Sequence, residues 1–334
     1  MKKTFAIFLT LVMLAACFFC VPGYAAAKSR TTPGEEISGN PTVDTIRQMF
    51  KKGDDKRDAG LKTPADIKRY DDIQYASDKK YNVLDVYRPK KAKNKKLPVI
   101  VSYHGGGWVY GDKERYQYYC MNLAERGFAV VNYTYRLAPK YKFPAPLEDT
   151  NSVFAWILKN ADKYGLDTKN LFAVGDSAGG QGLACYAAIV TNPEYAAKYS
   201  FKVPKGLKIN AVALNCGIYD FSDPAMTNND QTKSIMSLYL PNGGTQEEYK
   251  MLSAVNWVTS DYPATFIMTA TGDFLKMQAP IMAKCLSEHN VPFTYKLYGT
   301  QKNQLQHVFH CDIKSKDAKI CNDDECNFFL AHMV

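Results

Sequence analysis

Past its first 21 residues the 334-residue chain contains no long apolar run, and no internal repeat or glycine- and proline-rich tract occurs anywhere in it. Solenoid, fibrous and multiply spanning membrane architectures are excluded on that ground. The body of the chain also lacks a Cys-x-x-Cys pair, zinc-finger spacing and any basic helix. Its formal charge of +9 is scattered along the sequence, so nucleic acid is not an expected partner. What is present is ample for a large core: 46% hydrophobic and 13% aromatic residues against 22% charged. That balance is too apolar for a disordered chain and fits one large α/β domain.

The N-terminus is the exception. Lys2 and Lys3 precede an apolar stretch over residues 4–21, followed by Pro22, Gly23 and Ala25, Ala26 and Ala27. A basic start, an apolar segment and an Ala-x-Ala end are the marks of a secretory signal peptide, here residues 1–27. A membrane anchor is the competing reading, because the run nearly reaches spanning length. Leu14-Ala15-Ala16-Cys17 is similar to a lipoprotein signal, which would attach the chain to a membrane through a lipid on Cys17, although Phe18 and Phe19 follow where such proteins turn polar. Export is expected, to the periplasm or the medium, and secretion and lipid anchoring stay open, as does the oligomeric state. Removal of residues 1–27 leaves 40 basic and 33 acidic residues and seven cysteines. Cys120, Cys185, Cys216 and Cys285 lie in apolar segments and read as core. Cys311, Cys321 and Cys326 lie in a polar tail, where one disulfide of undetermined pairing is expected.

Residues 28–70 are polar and read as one short helix from about Val43 plus loops. Strand-like text begins with the alternation of residues 83–87 and the β-branched run at 98–103, separated by a lysine-rich solvated turn. Helices then read at 115–126, 147–163, 178–192 and 276–288, and strands at 128–133, 171–174, 209–215, 264–270 and 293–298. Alternating strands and helices, with several strands apolar on both faces, predict an α/β fold: a mostly parallel central sheet flanked by helices. The first strands have no helix between them and predict an antiparallel edge.

Gly175-Asp176-Ser177-Ala178-Gly179 matches G-x-S-x-G and falls between an apolar strand and a helix. A tight strand-to-helix turn of this kind lifts the Ser177 hydroxyl out of the sheet, and its glycines avoid Cβ clashes with the flanking elements. Earlier, His104-Gly105-Gly106-Gly107-Trp108 follows a strand. Three successive glycines carry a conformational cost and allow backbone N–H groups to approach a ligand oxygen closely. Gly105, Gly106 and the N–H of Ala178 are the expected oxyanion donors, with His104 structural. Asp273 follows the strand at 264–270 and His307 the strand at 293–298, both beyond strand carboxyl ends, where sites in such sheets are built. Asp273 could instead cap the next helix, a duty expected to compete with holding an imidazole. His307 is preferred over His310 as general base. A metal held by His307, His310 and Cys311 is not expected, for want of further ligands.

At this point the residues resemble a family. His104-Gly105-Gly106-Gly107-Trp108 and Gly175-Asp176-Ser177-Ala178-Gly179-Gly180 look like the oxyanion and nucleophile motifs of the hormone-sensitive-lipase-like esterases of the α/β-hydrolase superfamily. Tyr135-Arg136-Leu137-Ala138-Pro139 and residues 143–149 are similar to that family's connecting segment, and the likeness extends over about residues 80–310. Two departures stand out. Asp273 is followed by Phe274 where the family usually has proline, and His307 by Val308 where it has glycine.

The resemblance implies an α/β-hydrolase domain over residues 28–334, with cap contributions from 28–70 and 218–258. It implies a serine carboxylesterase with Ser177, Asp273 and His307 as catalytic residues, needing no cofactor and acting on small-molecule or polymer-linked esters. The polar character of the two cap segments favours short acyl groups. An amidase, formamidase or peptidase on the same fold is one alternative, and a non-catalytic binding protein on a hydrolase scaffold is another.

Overall fold

The computed structural model describes residues 32–93, 95–222, 227 and 230–334; the expected leader at 1–27, with Cys17, lies outside them. Eight strands form one sheet: β1 (Ile67–Gln74), β2 (Val83–Pro89), β3 (Leu97–Tyr103), β4 (Ala129–Tyr133), β5 (Leu166–Asp176), β6 (Ala211–Asn215), β7 (Ala264–Ala270) and β8 (Phe293–Tyr298). Their spatial order is β1-β2-β4-β3-β5-β6-β7-β8. β2 pairs antiparallel with both β1 and β4, and every pairing from β4 across to β8 is parallel. The mostly parallel sheet with an antiparallel edge is as the sequence led one to expect.

Helices cover both faces, which explains the two-sided apolar strands. Val99 and Val101 enter a core shared with α3 (Ala145–Tyr164), α4 (Ala178–Thr191) and α8 (Gln278–Glu288). Ile100 between them enters the opposite core, shared with α2 (Lys113–Glu125) and α9 (Lys316–Ala331). The remaining helices are α1 (Pro41–Asp58), the short α5 (Pro193–Ala196), α6 (Asp230–Tyr239) and α7 (Gln246–Leu252).

Three sequence expectations are corrected. The helix near Val43 is not short: it runs for 18 residues, started by the Asn40 side chain, which accepts from the N–H groups of Thr42 and Val43. Residues 67–70 belong to β1, a charged strand on the sheet's outer edge, rather than to a cap. The supposed polar tail is α9, whose buried face carries Ala318, Cys321, Asn322, Glu325, Cys326 and Phe329 at helical spacing. Cys311, Cys321 and Cys326 are accordingly buried free thiols, as are the other four described cysteines, and no disulfide joins them.

The two segments expected to form a cap meet in one apolar cluster. Val43 and Ile46 of α1 join Phe221, Met236, Tyr239, Leu240, Tyr249 and Leu252, and the same cluster takes in Trp108, Val109, Tyr110 and Ala178. Both segments thus rest against the glycine loop and the start of α4.

Candidate active site

Ser177 stands between β5 and α4 with φ +52° and ψ −120°, a strained conformation for a residue with a side chain. The strain is held by close packing. A Cβ on Gly179 would collide with the Tyr103 carbonyl oxygen, and one on Gly175 with the carbonyl of Gly179. The Ser177 N–H is tied to the Asn215 carbonyl of β6 at 2.9 Å. The hydroxyl is left to meet His307, whose Nε2 lies 2.9 Å from Ser177 Oγ.

The other ring nitrogen of His307, Nδ1, lies 2.7 Å from Asp273 Oδ1. Asp273 is buried, yet its carboxyl is held below the usual carboxylate range. Burial pushes it upward, but the hydrogen bond and charge of His307, the Leu275 N–H and the Thr269 hydroxyl together prevail. Oδ1 also accepts the Leu275 N–H at 2.9 Å, and Oδ2 accepts the Thr269 hydroxyl at 2.8 Å. The expected conflict between capping and holding an imidazole does not arise, since the next helix begins at Gln278 with Met277 at its N-cap and Asp273 caps no helix.

His310 is not an equivalent choice. It is fully buried behind the site, edge-on to Tyr119 with ring centroids 5.1 Å apart, and burial depresses its pKa to about 3. His104 is buried too, stacked on Tyr135 at 4.0 Å with its Nδ1 2.8 Å from the Gly105 carbonyl oxygen, in keeping with a structural part.

The glycine loop corrects one expectation. The Gly105 N–H is not free to serve an oxyanion: it donates to the Tyr116 hydroxyl at 3.0 Å, and that hydroxyl donates to Asp176 Oδ2 at 2.7 Å. Gly105 is small because it packs on Asp176, where a Cβ would stand 2.7 Å from the carboxylate. The backbone N–H groups of Gly106, Gly107 and Ala178 have no acceptor among the described residues. Gly107 thus presents a free N–H that the sequence did not single out, and the hydrogen-bond partner of Gly105 is what separates the two. Asp176 itself is buried, and burial raises its carboxyl to about 6 against the opposing Tyr116 hydrogen bond.

Trp108, at φ +60°, turns the loop back and stacks on Tyr239 of α6 at 4.8 Å while its Nε1 donates to Gln181 of α4 at 3.2 Å. Beside it Ile235 reaches to within 3.9 Å of where a Gly107 Cβ would stand. Ile235 also lines a groove of about 390 Å³ with Ser234 and with Pro41, Thr42, Thr45 and Ile46 of α1.

Two groups of metal-ligating type gather here: Asp176 with His310 and Cys311, and Asp273 with His307 and Cys216. His307, His310 and Cys311 thus fall into different groups. In the second, His307 and Asp273 already bind each other.

A family model described as BD-FAE matches residues 84–279, a span that includes the glycine loop, Ser177 and Asp273. Esterase LipC of Mycobacterium tuberculosis is 33% identical over 144 residues, which cover 42% of this chain and 35% of LipC. An acetyl esterase of Salmonella dublin is 26% identical over 241 residues, covering 69% of this chain and 71% of that protein. The chain spans between 30% and 48% of the length of the three curated relatives it matches first. Among solved structures, esterase B of Lactobacillus rhamnosis (HN001) superposes with a TM-score of 0.79 at 26% identity, over 87% of this chain and 94% of that one. Eight strands in this order, flanked by helices, make the fold that of the α/β-hydrolases, and the chain belongs to the BD-FAE family.

Proposed function

We propose that the chain is a serine carboxylesterase that cleaves short-acyl esters through an acyl-enzyme. The observation that carries this reading is the continuous chain Ser177 Oγ, His307 Nε2, His307 Nδ1, Asp273 Oδ1, with separations of 2.9 and 2.7 Å. Asp273 fixes the tautomer in which Nε2 is free to accept the serine proton. The alkoxide then attacks the ester carbonyl, and the N–H groups of Gly106, Gly107 and Ala178 receive the developing oxyanion. His307 returns the proton to the departing alcohol, and water releases the acyl group by the same steps in reverse. The positive end of α4 adds to the stabilisation of negative charge at its first residues.

The acyl group is assigned to the side away from His307, toward Ile235 and the groove between α1 and α6. The acetyl esterase among the relatives supports a short acyl chain. The segments at 32–58 and 218–258 are read as a small cap over this side. Export completes the proposal. Burial raises the pKa of all seven described cysteines, which keeps them in the unreactive thiol form outside the cell.

The test is hydrolysis of p-nitrophenyl esters from acetyl to palmitoyl, with an acetanilide as the amide arm. Activity is expected to fall with acyl length and to drop by on the order of 10⁴-fold or more in Ser177→Ala. A folded wild-type protein that turns over none of the esters would defeat the proposal.

A further inference from the structure

Phe274 is the most exposed large aromatic residue among those described, with 75% of its surface open to solvent. The position is not a loose one. Asp273 before it is buried and holds His307, and Leu275 after it is buried with its N–H bonded to Asp273. The backbone is therefore fixed on both sides of Phe274, and the ring is directed outward over the imidazole. Its centroid lies 4.4 Å from that of His307, with the planes inclined at 45°. Met277, three residues further on at the N-cap of α8, is also 66% exposed.

A ring whose purpose was to shield the His307–Asp273 pair would itself be covered, because burial is what makes an aromatic ring stabilising. Here a large apolar face remains in water beside a reacting group. A ligand bound at the site would cover that face and gain its burial.

The reaction geometry says which part of the ligand. His307 Nε2 must hand its proton to the oxygen of the departing alcohol, so the carbon skeleton of that alcohol lies on the His307 side of the reacting carbon. The acyl group and the oxyanion take the other directions, toward Ile235 and the Gly106–Gly107 loop. Phe274, whose ring centroid lies 4.4 Å from that of His307, is exposed apolar surface next to that position.

We propose that Phe274, flanked by Met277, is a specificity-determining platform for the alcohol half of the substrate, selecting cyclic alcohols whose ring offers a flat apolar face. A phenol ring or the C–H face of an acylated sugar satisfies this chemistry, while the exposed edge of the platform leaves hydroxyl groups in water. The inference rests on the serine-esterase reading and adds to it the class of alcohol.

The experiment holds the acyl group at acetyl and varies the alcohol: ethyl acetate, cyclohexyl acetate, phenyl acetate and an acetylated methyl glucoside. Wild type is compared with Phe274→Ala, Phe274→Leu and Phe274→Trp. Leucine keeps apolar bulk against His307 but lacks a ring face. The ratio of kcat/KM for the cyclic acetates to that for ethyl acetate is expected to fall about three- to tenfold in both the Ala and the Leu variants, as loss of one ring-stacking contact implies. The loss should appear mainly in KM, the pH profile of kcat should keep its shape, and tryptophan should restore the ratio. Phenyl and glucoside substrates separate the aromatic from the sugar source. A ratio that stays constant, whether all acetates slow equally or none does, overturns the proposal while leaving the esterase reading intact. Absence of Ser177-dependent turnover of every acetate overturns both.

Discussion

The two walls of the cleft are built in opposite ways. The wall that carries Ser177 and the glycine loop sits at the centre of the sheet, between β3 and β5, and is braced from three sides. Arg47 of α1 is buried and donates to the Val109 carbonyl at 2.8 Å, and the Tyr110 hydroxyl donates to Asp54 at 2.8 Å. Tyr116 joins Gly105 to Asp176 from beneath. The wall that carries Asp273 and His307 follows β7 and the edge strand β8, most of whose side chains are exposed. Its loops are joined by few bonds, among them Gly272 N–H to the Leu305 carbonyl at 2.9 Å. The difference matches the tasks that the proposed mechanism gives each wall. Stabilising an oxyanion requires dipoles that are fixed before charge develops, so their support has to be rigid. A general base requires only an orienting partner, and one carboxylate supplies it. The first wall matches the family motifs residue for residue, whereas the second departs at Phe274 and Val308.

The largest effect expected from this comparison comes from altering the carboxylate that orients the histidine of the second wall. Asp273→Asn retains an oxygen for the Leu275 N–H and His307 Nδ1 but removes the negative charge that stabilises the imidazolium formed during reaction, and kcat should fall by about 10²–10⁴-fold. The melting temperature should barely change. A fall in kcat of less than tenfold would show that another group orients His307.

Gly179→Ala makes the corresponding break in the rigid wall and should act on folding rather than on chemistry. The new Cβ meets the Tyr103 and His104 backbone of β3 and its following loop, neither of which can move without disturbing the sheet centre. A loss of about 3 kcal/mol or more in urea unfolding is expected, at the upper end of overpacking costs. An unchanged midpoint would mean that this wall is softer than its packing implies.

The same contrast governs what the sequence reveals. The rigid wall is written in glycines and a serine at fixed spacing, so its residues can be named without a structure; only the choice among Gly105, Gly106 and Gly107 needs coordinates, because the Tyr116 hydroxyl that occupies the Gly105 N–H lies on α2. Asp273 and His307 were legible from their positions after apolar strands. The failures share a different cause. β1 and α9 present polar residues where an apolar pattern is sought: β1 is an edge strand with four charged residues in eight, and α9 buries Asn322 and Glu325 in its apolar stripe. Glu325 is accommodated by bonds from Asn215 at 2.7 Å and Tyr119 at 3.0 Å, both distant in sequence. A buried carboxylate satisfied from other elements gives no local signal.

Tyr116→Phe tests the brace beneath the glycine loop with a smaller effect. It leaves the Gly105 N–H and the Asp176 carboxylate without their shared partner, and a loss of about 2 kcal/mol is expected. The loss should depend on pH. Asp176 has its pKa raised from 3.8 to about 6, so the native state keeps a proton that the unfolded chain releases. Stability contributed by this group is therefore present below pH 3.8 and is lost as pH rises through 6. Without the Tyr116 hydroxyl the native pKa rises further, and the destabilisation measured at pH 8 should exceed that at pH 5. Equal losses at both pH values would place the cost on Gly105 alone.

The smallest effect concerns Val308, which follows His307 with φ +52° and ψ +31°. A β-branched residue in the left-handed region is a genuine outlier, and the conformation costs about 1–2 kcal/mol relative to the right-handed one. Val308 is partly buried against the core that includes α9, so its side chain contributes packing that offsets the strain. Replacing it separates the two contributions. At an ordinary position alanine is more stable than glycine, by about 0.5–1 kcal/mol in a helix or strand. Here the order should invert, with Val308→Gly more stable than Val308→Ala by about 1 kcal/mol, because both lose the packing and only glycine escapes the strain. Thermal unfolding of the two variants measures this directly. If alanine proves the more stable, the backbone beside His307 relaxes out of the left-handed region, and the histidine wall is looser still than the comparison with the nucleophile wall makes it.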